Sequence, residues 1–154
     1  MNDDNHDVQE FHDGKLTDMR IEGIIDCIHR EMWSAPDFDT LFNEIVREFV
    51  DPHVPPFKAV RAAQLEHEYG AVGYLMLMRL DFTVTNVGSA NWPGRFDYKP
   101  DATCAVSIHY RHDPDATTQY SPGRTLTHAI LCAIMQYARE RSATIYNQGE
   151  LRLN

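Results

Sequence analysis

The sequence predicts an α+β fold: a mostly antiparallel sheet of three to five strands, packed against an N-terminal helix pair and a C-terminal helix. Three observations carry this expectation. Apolar residues recur at helical spacing in two early stretches and one late stretch. Two central stretches alternate as strands do. Pro, Gly and Asn cluster between these segments and mark their ends.

Residues 1–14 carry Asp3, Asp4, Asp7, Glu10 and Asp13 and no Lys or Arg. Residues 1–16 therefore read as an acidic arm ahead of a single domain over 17–154, with Phe11 as its anchor for a partner groove. Thr17 is a good N-cap for the first helix, with Asp18 in the first turn. Ile21, Ile24, Ile25, Ile28 and Met32 form its apolar stripe. After a break at Trp33-Ser34-Ala35-Pro36, Phe38, Leu41, Phe42, Ile45, Val46 and Phe49 mark a second helix, ended by Asp51-Pro52. Residues 51–56 are too rich in proline for helix and are expected to run extended. Residues 57–69 fit either a helix, from Pro56 and Gly70 at its ends, or a strand turning back through Gly70-Ala71-Val72-Gly73. The strand is preferred, because the run that follows needs a neighbour.

That run, residues 73–87, is expected to be one long strand. Tyr74, Met76, Met78, Leu80, Phe82 and Val84 would line one face. Leu75 and Leu77, then Arg79, Asp81, Thr83 and Thr85, would line the other. Its first half is apolar on both faces, so it asks for two covers. A loop over 88–103 carries Trp92, Phe96 and Tyr98, and loops of that length are often functional. Residues 102–112 form the second clear strand, with Cys104, Val106, Ile108 and Tyr110 inward and Ala105, Ser107, His109 and Arg111 outward. Ser121-Pro122 is expected to open the last helix. Leu126, Ala129, Ile130, Ala133, Ile134, Tyr137 and Ala138 would be its buried face, widened by Leu131 and Met135. Residues 144–146 and 150–153 read as short strands around Asn147-Gln148-Gly149.

At 154 residues, with 43% hydrophobic and 10% aromatic content, the chain can bury one core without staples. Its formal net charge of -9 disfavours direct binding to a phosphate backbone, which needs a basic face. The same charge suits an acidic inhibitor, an immunity or anti-defence protein that blocks a basic nucleic-acid-binding partner. Three cysteines, Cys27, Cys104 and Cys132, lie far apart with no zinc spacing, which suggests plain thiols in a reducing cytoplasm. The N-terminus has no leader-like run, and no stretch approaches a membrane span, so a host-cell cytoplasmic protein is expected.

The chemistry sought is mostly missing. His109 and His112, three apart on a strand, point to opposite faces and cannot chelate together. Glu66-His67-Glu68 brings two carboxylates to one face, but no third ligand is in sight. His128 is placed on the polar face of the last helix, and Cys104 and Cys132 are placed inward and inert. No nucleophile elbow and no phosphate cradle occur. No catalytic residue, cofactor or metal is therefore expected, and the chain is not read as an enzyme.

In size and element order the chain resembles the small tail-terminator and tail-completion proteins of tailed phages. The likeness runs from Val54-Pro55-Pro56-Phe57, leading into strands, through Cys104–His112 and the helix Leu126–Arg141 to a last strand near Leu151-Arg152-Leu153. It covers about residues 17–153 as topology, and the loop and strand at 88–112 depart from the simplest members. The resemblance implies a ring-forming homo-oligomer at the neck of a virion, bound to neighbouring virion proteins and not to nucleic acid or membrane, without catalysis. Leu75, Leu77, Trp92, Phe96 and Tyr98 are the expected interface residues.

Overall fold

The C-terminal helix lies at the centre of the molecule. In the computed structural model, which describes residues 3–33, 35–57, 70–90, 92 and 101–153 (backbone alone for 3–12, 36, 70 and 147–153), every residue from Thr127 to Met135 is buried. A helix apolar on all sides must be covered on all sides. The covers are α1 (Asp3–His29), α2 (Pro36–Phe49), α3 (Gly70–Leu77) and the strands β2 (Cys104–Ile108) and β3 (Ser121–Gly123), all packed on α4 (Leu126–Leu153). With β1 (Phe82–Asn86) the strands make an antiparallel sheet in the order β1-β2-β3. The fold is thus α+β, as the sequence predicts, with an N-terminal helix pair and a C-terminal helix.

Helices α1 and α4 run antiparallel. Gly14 lies against the ring of Tyr146, Glu22 pairs with Arg139, and His29 meets His128. This pairing corrects both termini. Helix α1 starts at Asp3, so Thr17 is a buried residue within it and not its cap. Residues 144–146 and 150–153, expected as strands, continue α4, and Thr144 Oγ1 donates back to the carbonyl of Glu140 at 2.9 Å. Each extension supports the other, and such tertiary support outweighs the β-branched residues that suggested strands.

Helix α2 follows its spacing: Phe38, Phe42, Ile45, Val46 and Phe49 are buried, and Leu41 is left at the rim. Phe38, Phe42, Phe57 and Tyr74 form one aromatic cluster, with Phe42 and Phe57 ring centroids 4.7 Å apart. Asn43 Oδ1 accepts from the Phe57 amide at 2.9 Å and seats that ring.

The long strand over 73–87 does not form. Its first half is helix α3, in which Ala71, Tyr74, Leu75 and Met78 are buried at helical spacing. An unbroken apolar run carries no period, and Met76 and Leu77 on the outer side hid the helical one. The expected turn at Gly70-Ala71-Val72-Gly73 is the first turn of that helix, and β1 pairs with β2, from Phe82↔Ile108 to Asn86↔Cys104. Residues 58–69, where helix and strand were both open, lie outside the described residues. Helix α3 stops at a left-handed residue, Arg79 (φ 55): its amide donates to Met76 at 3.0 Å and the Leu80 amide to Leu75 at 3.1 Å. This is a Schellman cap, closed by burial of both Leu75 and Leu80.

Cys104, Val106 and Ile108 point into the core as expected, but Ala105 and Ser107 are buried as well. The two-sided burial expected of 73–80 belongs to β2. Ser121-Pro122 is not a helix start but part of β3, where an edge position tolerates a proline without an N–H. The helix opens at Leu126, capped by Thr125, whose Oγ1 accepts from the His128 amide at 3.2 Å. Gly123 lets that first turn approach: a Cβ there would sit 2.7 Å from Ala129 Cα. No helix among the described residues is long and apolar enough to cross a membrane.

Candidate functional site

Two places in the structure combine chemistry with access. The first lies where α2 and α3 both end. The Arg111 guanidinium, expected to point to solvent, is drawn in between them. It donates to the Val50 carbonyl at 2.9 Å and to the Met78 carbonyl, and pairs with Asp51 at 3.3 Å. A cation at two helix C-termini answers the carbonyls left free there. Leu77, Met78, Arg79, Asp51, His53 and Arg111 border an open groove of about 520 Å³.

This groove tests the expected interface. Leu77 is 54% exposed on its rim, and Met76 beside it is 69% exposed. Leu75 is wholly buried in the core, because a helix turns successive residues by about 100° rather than flipping them as a strand does. Leu75 is therefore not at the molecular surface. Trp92 is half-buried, its amide bonded to the Ser89 carbonyl at 3.1 Å. Phe96 and Tyr98 lie outside the described residues. Farther along, Val84 and Val87 are exposed on β1 and just past it. The Asp81 carbonyl accepts from His109 and the Val87 amide donates to Thr103, so odd-numbered residues bond to β2. The amides and carbonyls of Phe82 and Val84 then point to the outer edge, where no strand pairs with β1 among the described residues, whereas the Asn86 carbonyl accepts from the Ser89 amide at 3.1 Å.

The second place was not found from the sequence. His29 in the last turn of α1 meets His128 and Cys132 one turn apart on α4. Nδ1 of His29 and Nε2 of His128 are 2.8 Å apart, and one ring nitrogen of each histidine and the Cys132 sulfur all lie within 4.8 Å of one another. His128, expected on a polar face, is only 6% exposed. The Glu31–Arg124 ion pair joins the two helix ends, and a left-handed residue, Glu31 (φ 57), ends α1 there. His29 and Cys132 line a pocket of about 240 Å³, together with Gln119, Tyr120, Gln136 and Arg139. Arg139 is held there by Asp18, at 3.2 Å, and by Glu22.

The other wall of this pocket is a β-bulge. Val106 pairs with Ser121, whereas His109 bridges to Thr117, so residues 117–121 carry one residue more than 106–109. The excess falls near Gln119 and Tyr120, both at the pocket. Glu140 closes the seam: it accepts from Tyr110 OH at 2.5 Å, Gln136 Nε2 at 2.8 Å and the Gln119 amide at 3.1 Å. Burial, then the hydrogen bond to the Glu140 carboxylate, push the Tyr110 phenol well above its ordinary value. A signal for this site existed. His128, Cys132, Gln136 and Glu140 recur every fourth residue, a polar seam beside the apolar residues 129–131 and 133–135.

The histidine pair considered from sequence behaves otherwise. His109 bonds Thr83 Oγ1 at 2.9 Å and the Pro114 carbonyl at 2.8 Å, which occupies both ring nitrogens, and His112 is exposed. Glu66-His67-Glu68 lies outside the described residues. Compared with family models, with curated proteins and with solved structures, the chain has no significant match.

Proposed function

We propose that this protein is a non-enzymatic assembly subunit that works by binding a further copy of itself through the stretch 76–87. One observation carries the reading: Met76 and Leu77 are exposed at the end of α3, and Val84 and Val87, three apart on opposite faces, are exposed on the edge strand β1 and just past it. Apolar side chains at a sheet edge with free backbone groups suit strand addition, in which main-chain hydrogen bonds supply affinity and apolar contacts supply selection. The likeness to phage neck proteins, which implies a homo-oligomer, loses the last strand it included, since residues 151–153 continue α4, and virion assembly is the setting we propose on the oligomer reading alone. The acidic-inhibitor reading gains less support: Asp18, Glu22, Asp26, Glu31, Glu44 and Asp51 already have arginine partners within the chain.

Light scattering on the full chain during size-exclusion chromatography tests this. The wild type is expected to run as an oligomer. Val84→Lys, a charge on the edge, and Leu77→Asp are expected to run as monomers with unchanged circular dichroism. A wild-type protein that stays monomeric at high concentration would end the proposal.

A further inference from the structure

We propose that His29, His128 and Cys132 bind one borderline-soft divalent cation, zinc by preference, between the end of α1 and the start of α4. The argument rests on donor type, separation and access. Two imidazole nitrogens and a sulfur form a donor set that selects zinc over magnesium or calcium, which prefer oxygen. Around a tetrahedral zinc, donor atoms sit about 3.3 to 3.8 Å apart, as bonds of about 2.0 to 2.3 Å require. The three donors here lie within 4.8 Å of one another, and the two nitrogens are at 2.8 Å. The site therefore closes slightly on the sulfur and opens slightly between the rings.

A hydrogen bond between two imidazoles needs a proton on one nitrogen and a lone pair on the other. On metal binding the donor ring moves its proton to its other nitrogen, both facing nitrogens offer lone pairs, and the thiol proton passes to solvent. The two helix ends offset each other: His29 sits in the last turn of α1, where the helix end is negative, and His128 in the first turn of α4, where it is positive, while Arg139 at the pocket is neutralised by Asp18 and Glu22. Two of the three residues line the pocket, so a fourth position faces Gln136 and the bulge and can take water. Three protein ligands and one open position describe a site that binds small molecules as well as metal. The link also joins elements distant in sequence, so the bound ion ties α1 to α4.

The test uses the full chain freed of metal and titrated with cobalt(II), then zinc(II). The expected result is one equivalent of cobalt with a thiolate-to-cobalt charge-transfer band, bleached by zinc, and a higher melting temperature with zinc. Cys132→Ser is expected to lose the band. His29→Ala is expected to keep it while weakening binding, since one of three protein ligands is lost. His53→Asn and His112→Asn are expected to change nothing. A folded wild type without the band in excess cobalt overturns the proposal, and so does an undiminished band in Cys132→Ser. If Cys132→Ser does not fold, His29→Ala decides: affinity equal to wild type overturns the site.

Discussion

Residues 70–87 pass from helix to strand, and residues 121–138 pass from strand to helix. Both are rich in apolar residues, yet the first places Met76, Leu77, Val84 and Val87 at the surface whereas the second is buried almost throughout. The turns differ in the same sense. Between α3 and β1 the chain takes a left-handed conformation at Arg79, an arginine where glycine is favoured. Between β3 and α4 a threonine cap and a glycine in contact with the helix make a close join. The contrast teaches that apolar content fixes how much surface must be hidden, and that the period of the apolar residues decides which side hides it. In α4 the stretch 127–135 is covered on every side, so polar groups placed there, His128 and Cys132 among them, meet each other, with Cys132 also lining the pocket.

Three sets of variants sharpen the contrast. The largest effect is expected at the join of β3 and α4. Gly123→Ala drives a methyl group into the Ala129 backbone and should cost about 3 kcal/mol by denaturant unfolding. Leu77→Ala, on the exposed side of α3, should cost less than about 0.5 kcal/mol. Equal losses at the two sites would abolish the distinction.

The two turns should respond with opposite signs. Arg79→Gly relieves a left-handed residue and should raise stability by about 1 kcal/mol. Thr125→Ala removes a helix cap and should lower it by about 1 kcal/mol. A loss of stability in Arg79→Gly would show that the arginine side chain, and not the turn, is what matters at that position.

The smallest effect concerns Tyr74 on the buried side of α3. Its hydroxyl is buried with no hydrogen-bond partner among the described residues, and burial pushes its phenol above the ordinary value of 10.0. The folded chain then keeps a proton that the unfolded chain releases at alkaline pH. Stability is fully present below pH 10.0 and declines as the pH rises beyond it. Tyr74→Phe should leave stability at neutral pH unchanged or raise it by up to about 1 kcal/mol, and should flatten the alkaline decline. An unchanged alkaline decline would place the titration elsewhere, with Tyr110 the other raised phenol.

Much of the architecture was legible because periodic patterns survive any tertiary context. Helix α2 is an example, as are the inward Cys104, Val106 and Ile108 of β2 and the buried face of α4. The errors share one cause. At 73–80 the apolar run had no visible period, so neighbours decided between helix and strand. At the termini, two weak segments became helix by lying side by side. At Ser121-Pro122 a local helix signal lost to pairing with β2. Of the expected interface residues, Leu77 is exposed and Leu75 is buried, because a helix and not a strand carries them. The histidine–cysteine site was not read, because its members come from helices about a hundred residues apart.

Neighbours along the chain were enough to give the class of fold, the number of apolar stripes and the lack of an elbow or phosphate motif. Tertiary structure alone decided that α4 is the centre, that Arg111 joins two helix ends, and that His29 reaches His128 and Cys132. Those outcomes depend on which distant segment covers which face, and covering is a property of the whole packed chain.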